Sequence, residues 1–158
     1  MNKIIIILLL SILLATAGCT KITQKPSPYP IEEFTITLST SSFSSGTQIK
    51  LDSANKTITK EHRNTWEEIK PTQEISEFQE NDIEKIKKIL KSTDVFLWEE
   101  AYSCADYDQN ICPQDYPSES LTITIGDNTK KISMYAPYQD SLPKELKELT
   151  AIIRELAR

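Results

Sequence analysis

The sequence has only three glycines and one histidine among its 158 residues. A glycine-rich phosphate loop needs several closely spaced glycines whose backbone amides surround the phosphate, and these three are scattered. The single histidine, His62, lies between Glu61 and Arg63 with no serine or cysteine nucleophile beside it. Because nucleophilic catalysis needs a base next to the nucleophile, both kinds of site are disfavoured, and we predict that the protein is not an enzyme.

The chain also lacks a surplus of basic side chains. It has 18 Lys and Arg against 23 Asp and Glu, a formal net charge of −5. A protein that binds nucleic acid or an anionic lipid surface through charge needs a concentrated basic patch. We therefore predict no nucleic-acid partner and expect any electrostatic specificity to come from acidic residues.

An apolar run from Ile4 to Leu14 stands near the start of the chain, after Lys3 and before the small residues that precede Cys19. A run of this length is too short for a permanent helix across a bilayer of about 30 Å, and it is typical of a cleaved export signal. The segment Thr16-Ala17-Gly18-Cys19 resembles the lipobox of the prokaryotic lipoprotein signal family. The resemblance implies that residues 1–18 are a signal peptide and that Cys19 is lipidated.

The same resemblance implies a protein held by lipid on the extracytoplasmic face of a membrane, at the cell surface or in the periplasm. Several acyl chains on one residue anchor a protein stably. Residues 19–32 contain Pro26, Pro28 and Pro30, and alternating prolines favour an extended tether. The remaining residues, 33–158, are enough for one domain with a hydrophobic core.

The most unusual stretch is the 22-residue segment Trp98–Glu119, which we call the acidic segment. It contains six carboxylates, no Lys or Arg, four aromatic residues and two of the three cysteines. Its formal charge of −6 equals that of the whole chain from Cys19 onward, because Lys3 is the only charged residue before Cys19. Crowded charge and tyrosines suit contacts with a basic protein or a glycan. The candidate binding residues are Trp98, Glu99, Glu100, Tyr102, Asp106, Tyr107, Asp108, Asp115, Tyr116 and Glu119.

Lipidation of Cys19 would leave Cys104 and Cys112 as an even pair in a non-cytosolic compartment. We predict a disulfide between them, which contributes on the order of 2–3 kcal/mol for a short loop in the chain-entropy model. Two free thiols are the alternative. A zinc site is disfavoured, because the sequence has no second pair of cysteine or histidine to complete it.

Oxygen-bearing side chains stand at alternate positions in Asp106, Asp108 and Asn110, which resemble the first half of an EF-hand loop. Ca²⁺ takes roughly six to eight oxygen ligands, and the resemblance implies a calcium site here. Ile111 and Pro117 stand where that family has a glycine and a bidentate glutamate. The other interpretation is a solvated acidic loop closed by its disulfide, so we predict no required cofactor and keep calcium as the alternative.

Hydrophobic periodicity predicts the fold. Apolar residues alternate with polar ones from Phe34 to Leu38, from Gln48 to Leu51 and from Leu121 to Met134, which is typical of hairpins. Apolar stripes at helical spacing predict helices from Asn81 to Lys91 and from Pro143 to Leu156. We therefore predict an α+β fold, with an antiparallel sheet of hairpins and two amphipathic helices packed on one face.

Two further strands are expected from weaker patterns. One lies near Thr65–Ile69, where apolar residues are isolated among charges. The other is Val95–Trp98, a continuous apolar run that is typical of a buried strand and leads into the acidic segment.

These observations leave two classes of function open. The first is a non-catalytic, lipid-anchored binding or structural module, with a calcium-stabilised adhesion-type module as one form of it. The second is an envelope hydrolase that uses two carboxylates, because such pairs are defined by their separation in space and not by a motif. Carboxylates that converge in a concave pocket favour the hydrolase, and carboxylates on a convex surface favour binding.

Overall fold

The computed structural model describes residues 26–42, 44–64, 71–102, 117–135 and 142–158. Within these ranges it contains seven β-strands and two α-helices. In chain order they are β1 (Phe34–Ser41), β2 (Ser45–Asp52), β3 (Thr57–Asn64), β4 (Thr72–Glu77), α1 (Glu80–Ser92), β5 (Ala101–Tyr102), β6 (Ser118–Ile125), β7 (Asn128–Tyr135) and α2 (Lys144–Leu156).

The strands form one sheet in the order β4-β3-β2-β1-β6-β7-β5. The α+β class is confirmed, but the prediction of a purely antiparallel sheet is wrong, because β5 pairs parallel with β7. The reason is the route of the chain. After the edge strand β4, the chain passes through α1 and reaches the opposite edge of the sheet at β5. β5 and β7 are not consecutive in the chain, so no tight hairpin forces them to be antiparallel.

Side chains of β1 alternate between the two faces of the sheet. Ile36 lies between Leu51 of β2 and Ile123 of β6, and all three are 0% exposed. Their neighbours Thr35 and Thr37 point to the other face and are partly exposed. β-branched residues fit such a half-buried strand well, so one face of the sheet is apolar and the other is hydroxyl-bearing.

Both helices contribute apolar side chains to the core on the apolar face of the sheet. The fully or largely buried helical residues are Ile83, Ile86, Ile89, Leu90, Leu146, Leu149, Thr150 and Ile153. The apolar ones join the buried strand residues in one hydrophobic cluster. No helix in the described ranges is long and apolar enough to cross a membrane.

α1 begins at Glu80, one residue before the predicted start at Asn81, with Gln79 in the capping position. The start of the helix is set by packing that comes before it. Phe78 is 0% exposed, and its backbone N–H donates to the Lys56 carbonyl oxygen at 2.8 Å. This contact fixes where the chain leaves β4, two residues before the helix begins.

The predicted buried strand Val95–Trp98 is also wrong, because Val95–Leu97 forms a 3₁₀ turn. The Asp94 carboxylate accepts a hydrogen bond from the Phe96 N–H at 3.2 Å, and the Leu97 N–H donates to the Asp94 carbonyl oxygen at 3.0 Å. An aspartate that caps the backbone in this way favours a turn over a strand. The predicted strand near residues 65–69 lies outside the described residues.

Ser53 joins the β2–β3 turn to the start of β1. The Phe34 N–H donates to Ser53 Oγ at 2.7 Å, and Ser53 Oγ donates in turn to the Phe34 carbonyl oxygen at 3.0 Å. Ser53 is 8% exposed and Phe34 is 3% exposed. One hydroxyl therefore satisfies both backbone groups of a buried residue at the point where the sheet begins.

We expect Ser53→Ala to lower the free energy of unfolding by about 1–3 kcal/mol, because it leaves the buried Phe34 N–H without its acceptor. Urea denaturation of the chain expressed without residues 1–19 measures this loss. Ser42→Ala is the matched control, since Ser42 is exposed and bonds only within its own turn. The control should change stability by less than about 0.5 kcal/mol, and equal losses in the two variants would contradict this role for Ser53.

Candidate functional site

Half of the candidate binding residues lie in the described part of the chain. They are Trp98, Glu99, Glu100, Tyr102 and Glu119. The residues outside the described ranges are Asp106, Tyr107, Asp108, Asp115 and Tyr116, together with Cys19, Cys104, Cys112 and Asn110. Lipidation, the disulfide and calcium binding therefore stay predictions.

Two of the five described candidates point inward. Trp98 is 6% exposed and belongs to the hydrophobic core. Glu119 lies on the apolar face of β6, opposite Thr40 and Met134. Its side chain is 11% exposed and forms an ion pair with Arg154 of α2, with 2.5 Å between Arg154 Nη2 and Glu119 Oε2. This carboxylate therefore ties a helix to the sheet.

The alternation of buried and exposed residues along β6 is the sequence signal that predicts an inward-facing Glu119. Leu121, Ile123 and Ile125 point into the core, and Glu119 stands two residues before Leu121 on the same strand. Counting by two therefore places its side chain on the apolar face. Sequence reasoning missed it because Glu119 was grouped with the other acids of its segment.

The two glutamates that follow Trp98 are exposed, and one has a basic neighbour. Glu100 Oε1 lies 3.9 Å from Lys130 Nζ, and the Glu100 side chain is 87% exposed. The Glu99 N–H donates to the Tyr102 hydroxyl oxygen at 3.3 Å. Burial raises the pKa of the Tyr102 phenol above its ordinary value, so this group stays protonated at neutral pH.

Basic side chains from other elements therefore lie next to two acids of the acidic segment. Lys130 of β7 faces Glu100, and Arg154 of α2 faces Glu119. Crowding of like charge in this segment is partly relieved within the chain itself. Fewer of its acids are left for an external cation than the sequence suggested.

A cavity of about 260 Å³ opens where β1 ends, β6 begins and β7 ends. We call it the serine cavity. It is lined by Ser39, Ser41, Tyr102, Ser118, Glu119, Ser120, Lys131, Ser133, Met134 and Tyr135. Its serines come from three neighbouring strands and share the hydroxyl-bearing face of the sheet.

Strand register brings these serines together. Ser39 of β1 lies opposite Ser120 of β6, which lies opposite Ser133 of β7. One step further, Ser41 lies opposite Ser118. Sequence reasoning missed this cluster, because alternating serines and threonines look like an ordinary solvent-facing side of a strand and only the register shows that they form one cavity.

Some hydroxyl groups of the cavity are already bonded, and others are not. Ser41 Oγ and Ser118 Oγ lie 2.9 Å apart and share a hydrogen bond, and Gln48 Nε2 donates to Ser39 Oγ at 3.3 Å. In the described part of the chain, the hydroxyls of Ser120 and Ser133 and the Lys131 ammonium group form no hydrogen bond or ion pair. These three groups remain available to a ligand.

The chemistry of the cavity is hydrogen bonding. Glu119 is the one Asp or Glu among its lining residues, and the Glu119 carboxylate is directed to the opposite, apolar face, where it is paired with Arg154. His62 lies on β3, where its Nδ1 is 3.1 Å from Thr47 Oγ1. Within the described ranges, no group of three His, Cys, Asp or Glu side chains is placed to hold a metal ion.

No protein-family model matches the sequence, and no curated protein matches it. A functional conclusion therefore depends on the residues of this chain.

We expect the Glu119–Arg154 pair to have a coupling free energy of about 1 kcal/mol in a double-mutant cycle with Glu119→Ala and Arg154→Ala. The Glu119 side is largely buried, whereas solvent screens the Arg154 side. The Glu100–Lys130 cycle is the control, because 3.9 Å separates its atoms and Glu100 is exposed. Its coupling should be near zero, and equal coupling in the two cycles would show that Glu119 does not tie α2 to the sheet.

Proposed function

We propose that this chain is a lipid-anchored, extracytoplasmic binding module without catalytic activity. In this proposal residues 1–18 are a signal peptide, residues 19–32 are a tether and residues 33–158 form one domain whose two amphipathic helices cover one face of the sheet. The observation that supports it is the serine cavity, which collects unpaired hydrogen-bonding groups on the other face of the sheet. A concave site with convergent polar groups is what a binding module needs.

The contacts of the tether support a domain held close to the membrane. Ile31 is 4% exposed in the core, and the Tyr29 ring meets the Phe96 ring edge-on with 4.9 Å between their centroids. About ten residues separate Cys19 from Tyr29, and a tether of that length spans about 30 Å if it is extended at about 3.1 Å per residue. That distance keeps the binding site within reach of molecules at the membrane surface.

The ends of the acidic segment meet the serine cavity. Tyr102 and Ser118, on either side of the residues that are not described, both line the cavity. The Ser133 N–H donates to the Glu100 carbonyl oxygen at 2.8 Å. We therefore propose that the exposed acids of the segment and the cavity form adjoining parts of one binding surface for a basic protein or a glycan.

The contacts of the Glu119 carboxylate support a binding module over a hydrolase. A carboxylate-based hydrolase needs one carboxylic acid that gives up a proton near the bond it breaks. Glu119 is the one Asp or Glu among the cavity residues, but its carboxylate lies on the apolar face of the sheet, where it is held by Arg154 and accepts a hydrogen bond from Thr40 Oγ1 at 3.4 Å. A carboxylate that bridges a helix and a strand in this way has a structural role.

We expect Cys19→Ser to move the protein from the membrane fraction to the soluble fraction or the medium, or to leave it unprocessed at its higher mass. The physical reason is the loss of the acyl chains, without which the chain has no stable anchor. Fractionation followed by mass spectrometry measures both outcomes. Cys104→Ser is the matched control and should stay at the membrane. Full processing and unchanged membrane association of the Cys19→Ser protein would contradict the anchor.

We expect Glu99→Gln with Glu100→Gln to reduce capture of the partner from solubilised native envelope several-fold at low salt. Exposed charges mainly accelerate encounter with an oppositely charged surface, and about 0.5 M salt should remove the difference because it screens them. Glu74→Gln with Glu77→Gln on β4 is the control, since both residues are exposed and the charge change is the same. Equal capture by wild type and both variants would count against a binding role for these acids.

A further inference from the structure

The hydroxyl-bearing face of β1 and β6 is uniform. All outward positions of the two strands, from Thr35 to Ser41 and from Ser118 to Thr124, are serine or threonine. Each lies opposite another of the same kind, as Thr37 does opposite Thr122 and Ser39 opposite Ser120. Paired strands lie about 4.8 Å apart and outward positions repeat about every 6.7 Å along a strand. The two strands thus present a regular double row of hydroxyl groups that ends in the serine cavity.

This double row does not fit a protein partner. The centre of a protein–protein interface depends on large aromatic or aliphatic side chains that fit pockets on the partner. The outward positions of β1 and β6 have none. A hydroxyl group both donates and accepts hydrogen bonds, so the face suits a ligand that is itself covered with such groups.

Charge around the cavity favours a ligand without net charge. Among the described residues that line it, Lys131 is the unpaired cation, and the Glu119 carboxylate is paired with Arg154 on the opposite face of the sheet. The acidic segment, which starts beside the cavity with the exposed Glu99 and Glu100, would repel a polyanion. The positive charge of Lys131 would repel a purely cationic ligand.

The size of the cavity limits the ligand further. Its volume of about 260 Å³ lies just below the range of about 300–1,000 Å³ that is typical of small-ligand sites. One sugar ring fits a space of this size better than a longer rigid ligand. Tyr135 lines the same cavity, and an aromatic ring presents an apolar surface to the C–H groups of a sugar.

We propose that the serine cavity binds one sugar unit of a neutral glycan, and that neighbouring units of the same glycan lie along the double row of hydroxyls on β1 and β6. Ser120 Oγ, Ser133 Oγ and Lys131 Nζ supply the new hydrogen bonds. This inference rests on the proposed function and names its ligand class.

The test is calorimetric titration of the purified lipid-anchored chain, in a detergent without a sugar headgroup. The probes are the neutral tetrasaccharides tetra-N-acetylchitotetraose, cellotetraose and maltotetraose, with tetragalacturonate as the anionic comparison. We expect saturable binding of at least one neutral probe and weaker binding of tetragalacturonate. Ser120→Ala with Ser133→Ala should weaken the neutral complex by about tenfold, because two hydrogen bonds are lost.

Thr57→Ala with Thr59→Ala is the matched control, because it removes two outward hydroxyls from β3, away from the cavity. It should leave the dissociation constant within about twofold of wild type. Circular dichroism melting shows that both variants are folded.

Three results would overturn the inference. The first is no heat of binding with any neutral probe up to about 10 mM, which corresponds to negligible affinity. The second is equal weakening of binding in the two double variants. The third is tighter binding of tetragalacturonate than of every neutral probe. If no sugar binds while partner capture still depends on Glu99 and Glu100, the glycan inference fails and the binding module stands. If sugar binds but Cys19→Ser protein stays fully processed at the membrane, the anchor fails and the glycan site stands.

Discussion

The pairing of β1 with β6 is the contact on which the rest of the structure depends. It joins Phe34–Ser41 to Ser118–Ile125 in the middle of the sheet, across about half of the chain. Closing so long a loop costs entropy, and burial offsets it. Ile36 and Ile123 lie opposite each other with 0% exposure, and each such side chain contributes about 1.5–3 kcal/mol when it is fully removed from water. The helices then complete the core on that face.

The same alternation that builds the core also builds the site. Every second residue of β1 and β6 must point away from the core, and in this chain those positions carry hydroxyls. Ser39 and Ser120 therefore meet in the serine cavity because Leu38 and Leu121 meet in the core. In the proposed function, stability and binding use opposite faces of the same strand pair, so a polar substitution at an outward position should change binding with little effect on packing.

Local patterns in the sequence were sufficient for some features and not for others. The alternation of apolar and polar residues predicted strands at Phe34–Leu38 and after Ser118, because burial of one face of a strand imposes a period of two. The parallel pairing of β5 was missed, because it depends on where α1 delivers the chain and not on the pattern of Ala101 and Tyr102 themselves. Arg154 and the serine cavity were missed for the same reason: partners distant in sequence become neighbours only through the helix packing and the strand register.

The central claim is that the hydroxyl-bearing face of β1 and β6 recognises the ligand while the opposite face holds the core. Mapping of backbone amide chemical shifts by NMR during titration with tetra-N-acetylchitotetraose, cellotetraose or maltotetraose tests this claim most directly. The account predicts saturable shifts centred on Ser39, Ser120 and Ser133, with the buried faces of α1 and α2 unchanged. Shifts centred on β3 and β4, or no saturable shift with any of the three sugars, would contradict it.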